Sequence, residues 1–192
     1  TFLTPCDNLT GGNRVVAMHA RALADMGHDV LVVMCAPDPV RASRTQRLKG
    51  WFMGRTDDHT PAAPPGLVAL SGVPFKTLSR PGPITADDVP DADVVIATWW
   101  ETAVWMHSFP PNKGRPVHLI QGYEVWFGAE TTTRVHAALR LPNTKVVISH
   151  DLQRTIEAAL GPLPMTVVPN AIDPQQFNAP PRARAAQPTV GF

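Results

Sequence analysis

The chain has 192 residues, enough for one domain with its own hydrophobic core. Its formal net charge is only +1, which argues against a nucleic acid or an anionic membrane bound through bulk charge. Its two cysteines, Cys6 and Cys35, lack paired metal-binding spacing, so neither a disulfide framework nor a structural zinc site is expected.

The first 36 residues predict a strand, a helix and a second strand. The opening "TFLTP" is apolar and rich in strand-forming residues. Thr10 is a candidate N-cap for a helix over about residues 13–26, and Gly27 is suited to the left-handed position after its end. The continuous apolar run "VLVVMCA" is typical of a buried parallel strand, so the three segments form a βαβ unit.

Between residues 37 and 90 the periodic pattern weakens, because prolines, glycines and charged residues dominate. We expect "VRASRTQRLKGWFMG" to form a short helix and "GLVALSGVPFKTL" to form one or two short strands. The region is therefore predicted to be an elaborated loop with edge strands.

From residue 91 onward the alternation of strand and helix returns. Strands are predicted in "DADVVIAT", "RPVHLIQ", "TKVVIS" and "MTVVP", with helices in "WWETAVWMH", "ETTTRVHAALRL" and "HDLQRTIEAAL" between them. Ser149 is a plausible N-cap of the last helix, and Gly161 ends it. The pattern predicts an α/β fold, a Rossmann-like open parallel sheet with helices on both faces.

Ligands of such sheets bind at the carboxyl ends of the strands. The first candidate there is the pair Gly11 and Gly12, at the start of the first helix. Bare backbone N–H groups and the positive end of the helix dipole favour a phosphate or a sugar. The alternative is a tight strand-to-helix turn, and the lack of a full GxGxxG argues against a dinucleotide cofactor.

The second candidate is "TWWETAVW", at the end of a predicted strand. Trp99 and Trp100 are suited to stacking on a sugar ring, and Glu101 to accepting hydrogen bonds from its hydroxyl groups. The structural alternative places Trp105 and one of the pair in the core between helix and sheet.

The third candidate is the loop "QGYEVWFG", which carries the polar side chains of Gln121, Tyr123 and Glu124. A carboxylate at a strand terminus can act as a base or orient a hydroxyl group. Alternatively, Glu124 caps the following helix and the pair 126–127 packs as a lid.

The seven histidines do not have the spacing of a metal site. We expect His118, inside an apolar strand, to be a hydrogen-bonded core residue. His107 and His136 are expected on helix surfaces, whereas His150 begins a helix at the ligand-binding edge of the sheet.

Three segments resemble family 4 glycosyltransferases of the GT-B fold. They are "GGNRVVAMHARALADMGHDVLVV", "KVVISHDLQRTI" and "VVPNAIDPQQF", the last being similar to the signature V-x-P-N-G-[IV]-D-x-x-x-F. The segments occur in the family's order. "HLIQGYEVWFG" is further similar to a Q-x-Y-E stretch of some polysaccharide and rhamnosyl transferases.

The resemblance implies that residues 1–178 form the N-terminal, acceptor-side domain. Residues 179–192 would then be a linker and the first strand of a C-terminal donor-binding domain. The implied activity is retaining transfer of a hexosyl or rhamnosyl group from a nucleotide sugar to an acceptor hydroxyl, in polysaccharide or glycoconjugate synthesis. The implied partners are the nucleotide-sugar donor, a glycan or lipid-linked acceptor and the chain's own C-terminal domain. No cofactor, metal or nucleic acid is expected.

The residue patterns above and the resemblance together predict roles for particular residues. These are phosphate binding for Gly11, Gly12 and Asn13, catalysis for Glu101 and Glu124, acceptor binding for Trp99, Trp100, Gln121, Tyr123 and His150, and an interdomain turn for Asn170 and Asp173. The family's usual histidine is absent from the strand ends, and Ala171 replaces the signature glycine, which predicts backbone strain if its φ is positive.

Two other classes remain open. One is a related enzyme, a nucleotide-sugar epimerase or a nicotinamide oxidoreductase, and the other is a non-catalytic sugar-binding module. We expect residues 1–192 alone to be inactive. The expected location is the cytoplasm, with peripheral attachment to the inner face of the membrane as an option.

Overall fold

The computed structural model describes residues 1–36, 65–126, 128–172, 174, 177 and 178. The predicted helix in "VRASRTQRLKGWFMG", the predicted linker over 179–192, Phe127 and Asp173 lie outside the described residues.

Seven strands and five α-helices occur in the described part of the chain. The strands are β1 (Phe2–Thr4), β2 (Val32–Met34), β3 (Phe75–Thr77), β4 (Val94–Ala97), β5 (Arg115–Ile120), β6 (Thr144–Val147) and β7 (Thr166–Val167). The helices are α1 (Gly11–Asp25), α2 (Leu67–Leu70), α3 (Trp100–Met106), α4 (Ala129–Leu139) and α5 (His150–Leu160).

The strands form one sheet in the order β3-β2-β1-β4-β5-β6-β7, and every neighbouring pair is parallel. The chain therefore winds outward from β1 in one direction, returns to the centre, and winds outward from β4 in the other. The point where the direction reverses lies between β1 and β4, and it is where open α/β sheets bind ligands. The predicted α/β, Rossmann-like parallel sheet is confirmed.

Helices cover both faces of this sheet. Phe2 packs with Val16 and Ala20 of α1, whereas its neighbour Leu3 packs with Ala103 of α3 on the opposite face. Successive strand residues point to opposite faces, so a strand buried on both sides needs the unbroken apolar runs of this sequence.

The predicted helix ends agree with the structure, apart from one cap. Gly27 has a φ of +91° and Gly161 a φ of +81°, so both are left-handed residues at helix ends. The Ser149 hydroxyl accepts a 3.1 Å hydrogen bond from the N–H group three residues later. Thr10 occupies the N-cap position of α1, but its hydroxyl donates to Asn8 Oδ1 and caps no helical N–H group.

The segment "GLVALSGVPFKTL" differs from the prediction, because only its second part is a strand. Its first part is the one-turn helix α2, whose Val68 and Ala69 N–H groups each donate a 3.0 Å hydrogen bond to the Asp7 carboxylate. A Cβ atom on Gly66 would lie 2.1 Å from Asp7 Cγ, so only glycine fits there. Because the cap comes from a residue some 60 positions earlier, local periodicity cannot reveal it.

Candidate functional site

A cavity of about 770 Å³ opens at the point where the sheet reverses direction. Its walls come from the loops after β1, β4, β5 and β6, from the first turns of α1, and from the segment after β7. The lining includes Thr4–Cys6, Thr10–Val15, Met18, Thr98, Trp99, Gln121, Gly122, Glu124, Trp126, Ile148, Asn170–Ile172 and Phe177. Segments far apart in sequence thus meet at the edge predicted to bind ligand.

The amino terminus of α1 opens into this cavity. No described residue accepts a hydrogen bond from the backbone N–H groups of Gly11, Gly12 or Asn13. The first N–H groups of a helix carry a partial positive charge and are left without a partner inside the helix. The arrangement favours an anionic group in the cavity.

Neither packing nor backbone conformation requires glycine at Gly11 or Gly12. Neither has a positive φ. A Cβ atom on Gly11 would contact nothing within 4 Å, and one on Gly12 would meet only the Gln121 amide, at 3.8 Å. Glycine therefore leaves the backbone open toward the cavity without being required by geometry or by space.

The Asn13 side chain holds the loop that precedes α1. Its Nδ2 donates to the Cys6 carbonyl at 2.9 Å and to Asn8 Oδ1 at 3.1 Å, and its Oδ1 accepts from the Thr4 hydroxyl at 3.3 Å. The side chain is buried in this network. Only the backbone N–H of Asn13 remains for the predicted phosphate contact.

Glu124 is the buried carboxyl group of the cavity, with 6% of its surface exposed. Burial raises its pKa to about 8, against the lowering effect of a 3.3 Å hydrogen bond from Trp100 N–H, and the charge of Glu101 adds to the rise. Glu124 is therefore protonated at neutral pH and suited to donate a hydrogen bond. It caps the preceding helix α3, not the following helix as one alternative predicted.

Of the three residues predicted in "TWWETAVW", only Trp99 lines the cavity. Trp99 lines the cavity, whereas Trp100 is buried in the core, with the Arg134 guanidinium 4.9 Å from its ring centroid. Trp100 is therefore not placed to stack on a ligand in the cavity, because α3 begins there and turns this side chain inward. Glu101 does not line the cavity either, and it acts on Glu124 through its charge.

Of the other residues predicted to bind the acceptor, one lines the cavity and two do not. Gln121 lines the cavity. Tyr123 does not, because its hydroxyl lies 2.6 Å from His136 Nε2 and the two rings stack at 5.8 Å. His136 is thus a half-buried partner of Tyr123 and not simply a helix-surface residue. His150 is exposed at the start of α5 and lies outside the cavity lining.

The signature segment reaches the cavity at Asn170 and Ala171. The strain expected at Ala171 does not occur, since no non-glycine residue in the described part of the chain has a positive φ. Ile172 and Phe177 add exposed apolar surface beside them.

His118 was predicted to be a core residue with hydrogen-bond partners, and only the first part is confirmed. It is a core residue, 2% exposed, but its Nδ1 has no hydrogen-bond partner among the described residues. Burial, with a contribution from the Lys145 charge, lowers its pKa to about 3. The imidazole is therefore neutral at physiological pH.

Trp126 and Met18 are cavity residues that the sequence interpretation did not single out as ligand contacts. Trp126 is 61% exposed and Met18 is also exposed. For Trp126 the available signal is its place in the polar loop "QGYEVWFG", where only the structural alternative gave it a role, as part of a lid.

Among the described residues, no three His, Cys, Asp or Glu side chains come close enough together to hold a metal ion. None of the described helices has the length and apolar character that crossing a membrane requires.

Comparison with known proteins gives one match. A family model described as Glycosyltransferase Family 4 matches residues 9–176, which is most of the chain and includes most of the cavity lining. No curated protein and no solved structure matches the chain.

Proposed function

The chain belongs to glycosyltransferase family 4 and has the Rossmann-like fold of the N-terminal domain of a GT-B enzyme. From that premise, we propose that it is the acceptor-side lobe of a retaining glycosyltransferase. The enzyme moves a hexosyl or rhamnosyl group from a nucleotide sugar to an acceptor hydroxyl, in polysaccharide or glycoconjugate synthesis. The reaction needs no resident cofactor or metal.

The open amino terminus of α1 is the observation that carries this proposal. When the sugar leaves its donor, negative charge develops on the departing diphosphate. Preorganised N–H groups and a helix dipole stabilise such charge without reorganisation at the moment of reaction. The bare backbone at Gly11 and Gly12 lets phosphate oxygens approach these N–H groups closely.

Glu124 and Gln121 orient the acceptor in this proposal. With a pKa of about 8, the Glu124 carboxyl group already carries a proton at neutral pH, so it donates a hydrogen bond to the acceptor and does not act as a base. The acceptor oxygen forms a bond to the anomeric carbon as the bond to the diphosphate breaks. The proton of the acceptor hydroxyl passes to the departing phosphate oxygen, which balances the reaction.

The wider setting follows from the same proposal. The partners are the nucleotide-sugar donor, a glycan or lipid-linked acceptor and a C-terminal donor-binding domain, and the location is the cytoplasm or the inner face of the membrane. The family match favours a transferase over the epimerase and the oxidoreductase. The other alternative, a non-catalytic sugar-binding module, would bind sugars but would not catalyse transfer.

The direct test incubates the complete natural protein with a panel of nucleotide sugars and candidate acceptors. Release of nucleoside diphosphate that depends on the acceptor is expected, and proton NMR of the product is expected to show the anomeric configuration of the donor. Inversion contradicts the retaining mechanism, and absence of transfer from every donor favours the binding module.

A further inference from the structure

Trp126 lines the cavity and is unusually exposed for a large aromatic side chain. It follows β5 in the loop that also carries Gln121 and Glu124, and 61% of its surface is exposed. Trp99, the other tryptophan in the lining, is half-buried and packs against the core cluster of α4 and α5. Trp126 is thus the cavity tryptophan with a largely accessible surface.

Short distances connect Trp126, through Gly122 and Gln121, to the amino terminus of α1 in the cavity. Its ring atom Cη2 lies 3.4 Å from the position that a Cβ atom on Gly122 would occupy. The neighbouring Gln121 amide lies 3.8 Å from the equivalent position on Gly12. A ligand resting against Trp126 would therefore extend past Gln121 toward the amino terminus of α1.

The chemistry of these three groups fits a sugar ring. A pyranose presents C–H groups on its faces and hydroxyl groups around its edge, so it needs an apolar surface beside hydrogen-bonding groups. An indole supplies a large apolar area, while a carboxamide and a protonated carboxyl supply the polar contacts. An alkyl chain would offer no hydrogen-bond partner to the Gln121 amide or to the acidic proton of Glu124, whose carboxyl group accepts from Trp100 N–H on its other side, and this is unfavourable in a partly buried site.

We propose that Trp126 is the stacking platform for the terminal pyranose of the acceptor, and that Gln121 and Glu124 bind the hydroxyl groups at its inner edge. This inference rests on the proposed function, since it names the substrate class of the acceptor side. It assigns specificity for a carbohydrate acceptor to a residue of the β5 loop.

Binding of simple ligands tests the platform without requiring turnover. The probes are the methyl glycosides of glucose, galactose, mannose, rhamnose and N-acetylglucosamine, with octanol as an alkyl probe and UDP, GDP and TDP as diphosphate probes. Each is titrated into the chain by saturation-transfer NMR and calorimetry. At least one methyl glycoside is expected to bind, with its ring protons closest to an indole.

Three variants give the comparison. Trp126→Leu is expected to weaken glycoside binding by about tenfold, and Trp126→Phe by about threefold, because a smaller ring retains part of the contact. Phe75→Leu is the matched control, an aromatic residue 46% exposed on β3 and outside the cavity lining, and it is expected to change nothing. Because Trp126 is exposed, both substitutions should leave the circular dichroism spectrum unchanged.

The outcomes separate this inference from the proposed function. Wild-type glycoside affinity in Trp126→Leu, or no glycoside binding at all, overturns the platform. Octanol binding that depends on Trp126, without glycoside binding, assigns the surface to an alkyl chain and also overturns it. Failure of every diphosphate to bind, while Trp126-dependent glycoside binding persists, counts against the donor site and leaves the platform standing.

Discussion

Gly12, in the first turn of α1, and Gly27, just after the end of the helix, are glycine for different reasons. Gly27 follows the helix with a φ of +91°, a backbone conformation that other residues adopt at a cost of about 1–2 kcal/mol. Gly12 lies in the first turn with no positive φ and with room for a Cβ atom. Gly27 is required by the backbone conformation after the helix, whereas Gly12 is not required by its conformation and leaves the backbone open at the cavity.

Exchanging each of these glycines for alanine should separate stability from binding. Gly12→Ala is expected to retain the free energy of unfolding but to lower affinity for a nucleoside diphosphate by at least about tenfold, because its methyl group blocks the approach of phosphate oxygens. Gly27→Ala is expected to lose about 1 kcal/mol of stability and to bind normally. Urea unfolding and calorimetric titration measure both. Normal diphosphate binding by folded Gly12→Ala contradicts the phosphate site.

Glu124 should make the protein less stable as the pH rises. Its pKa is about 8 in the folded protein and about 4.5 when unfolded, so the folded state holds the extra proton between these values. Stability is therefore highest below pH 4.5 for this group and falls by up to roughly 1.4 kcal/mol per pH unit until about pH 8. Glu124→Gln, which can still accept the Trp100 hydrogen bond, is expected to remove this decline. Urea unfolding from pH 5 to 8.5 measures it, and parallel pH curves for both proteins argue against the raised pKa.

His118 should act in the opposite direction at acid pH. Its pKa is about 3 when folded and 6.5 when unfolded, so the unfolded state binds the proton first as the pH falls. The contribution of His118 to the free energy of unfolding is complete above pH 6.5, and it is lost as the pH falls from 6.5 toward 3. His118→Leu is expected to reduce this acid sensitivity, whereas exposed His107→Leu is expected to leave it unchanged. Unfolding curves at pH 7, 5.5 and 4 make the comparison.

At the scale of single elements, α2 depends on a residue from the loop after β1. Helices of four residues are not stable alone, because nucleation is costly and few hydrogen bonds follow it. The Asp7 carboxylate accepts hydrogen bonds from two N–H groups of this turn, and Gly66 leaves room for it. The contact joins the cavity loop to the edge of the sheet.

A double-mutant cycle tests this contact. Asp7→Ala is expected to lose about 1 kcal/mol of stability, and Gly66→Ala a similar amount because its Cβ displaces the carboxylate. The double variant should lose little more than either alone, since both changes remove one cap. Asp25→Ala, which breaks an exposed ion pair with Arg21, is the control and should change stability by less than about 0.5 kcal/mol. Fully additive losses in the double variant would show that the cap is not shared.

At the scale of the whole molecule, the cavity exists because the sheet reverses direction between β1 and β4. The loops on either side of that point diverge to opposite faces, which leaves a crevice that packing does not fill. Residues from four strand ends and from the segment after β7 then share one space.

The proposal that this chain is one lobe of a two-lobed enzyme predicts that the chain binds ligands without completing the reaction. We expect residues 1–192 alone to bind a methyl glycoside but to release no nucleoside diphosphate above background, because the resemblance assigns most donor contacts to a C-terminal domain. An assay of diphosphate release, with the complete natural protein as positive control, checks this. Rapid turnover by residues 1–192 alone is incompatible with the two-lobed proposal.

Much of the architecture was predictable, because it depends on local patterns. Unbroken apolar runs predicted the buried strands, and Gly27, Ser149 and Gly161 marked helix ends through their own backbone and capping chemistry. The β1–α1 turn was predicted as a ligand site because a helix amino terminus is electropositive in any context. Only its amide groups, not the Asn13 side chain, proved available.

Other features could be decided only by the tertiary structure. Neighbouring Trp99 and Trp100 have the same chemistry, yet one lines the cavity and the other lies in the core, because the start of α3 directs them apart. The sequence alone determined which segments are strands and helices, since that follows from spacing along the chain. Which side chains share the cavity, and the protonation of Glu124 within it, followed from burial and from contacts between distant segments.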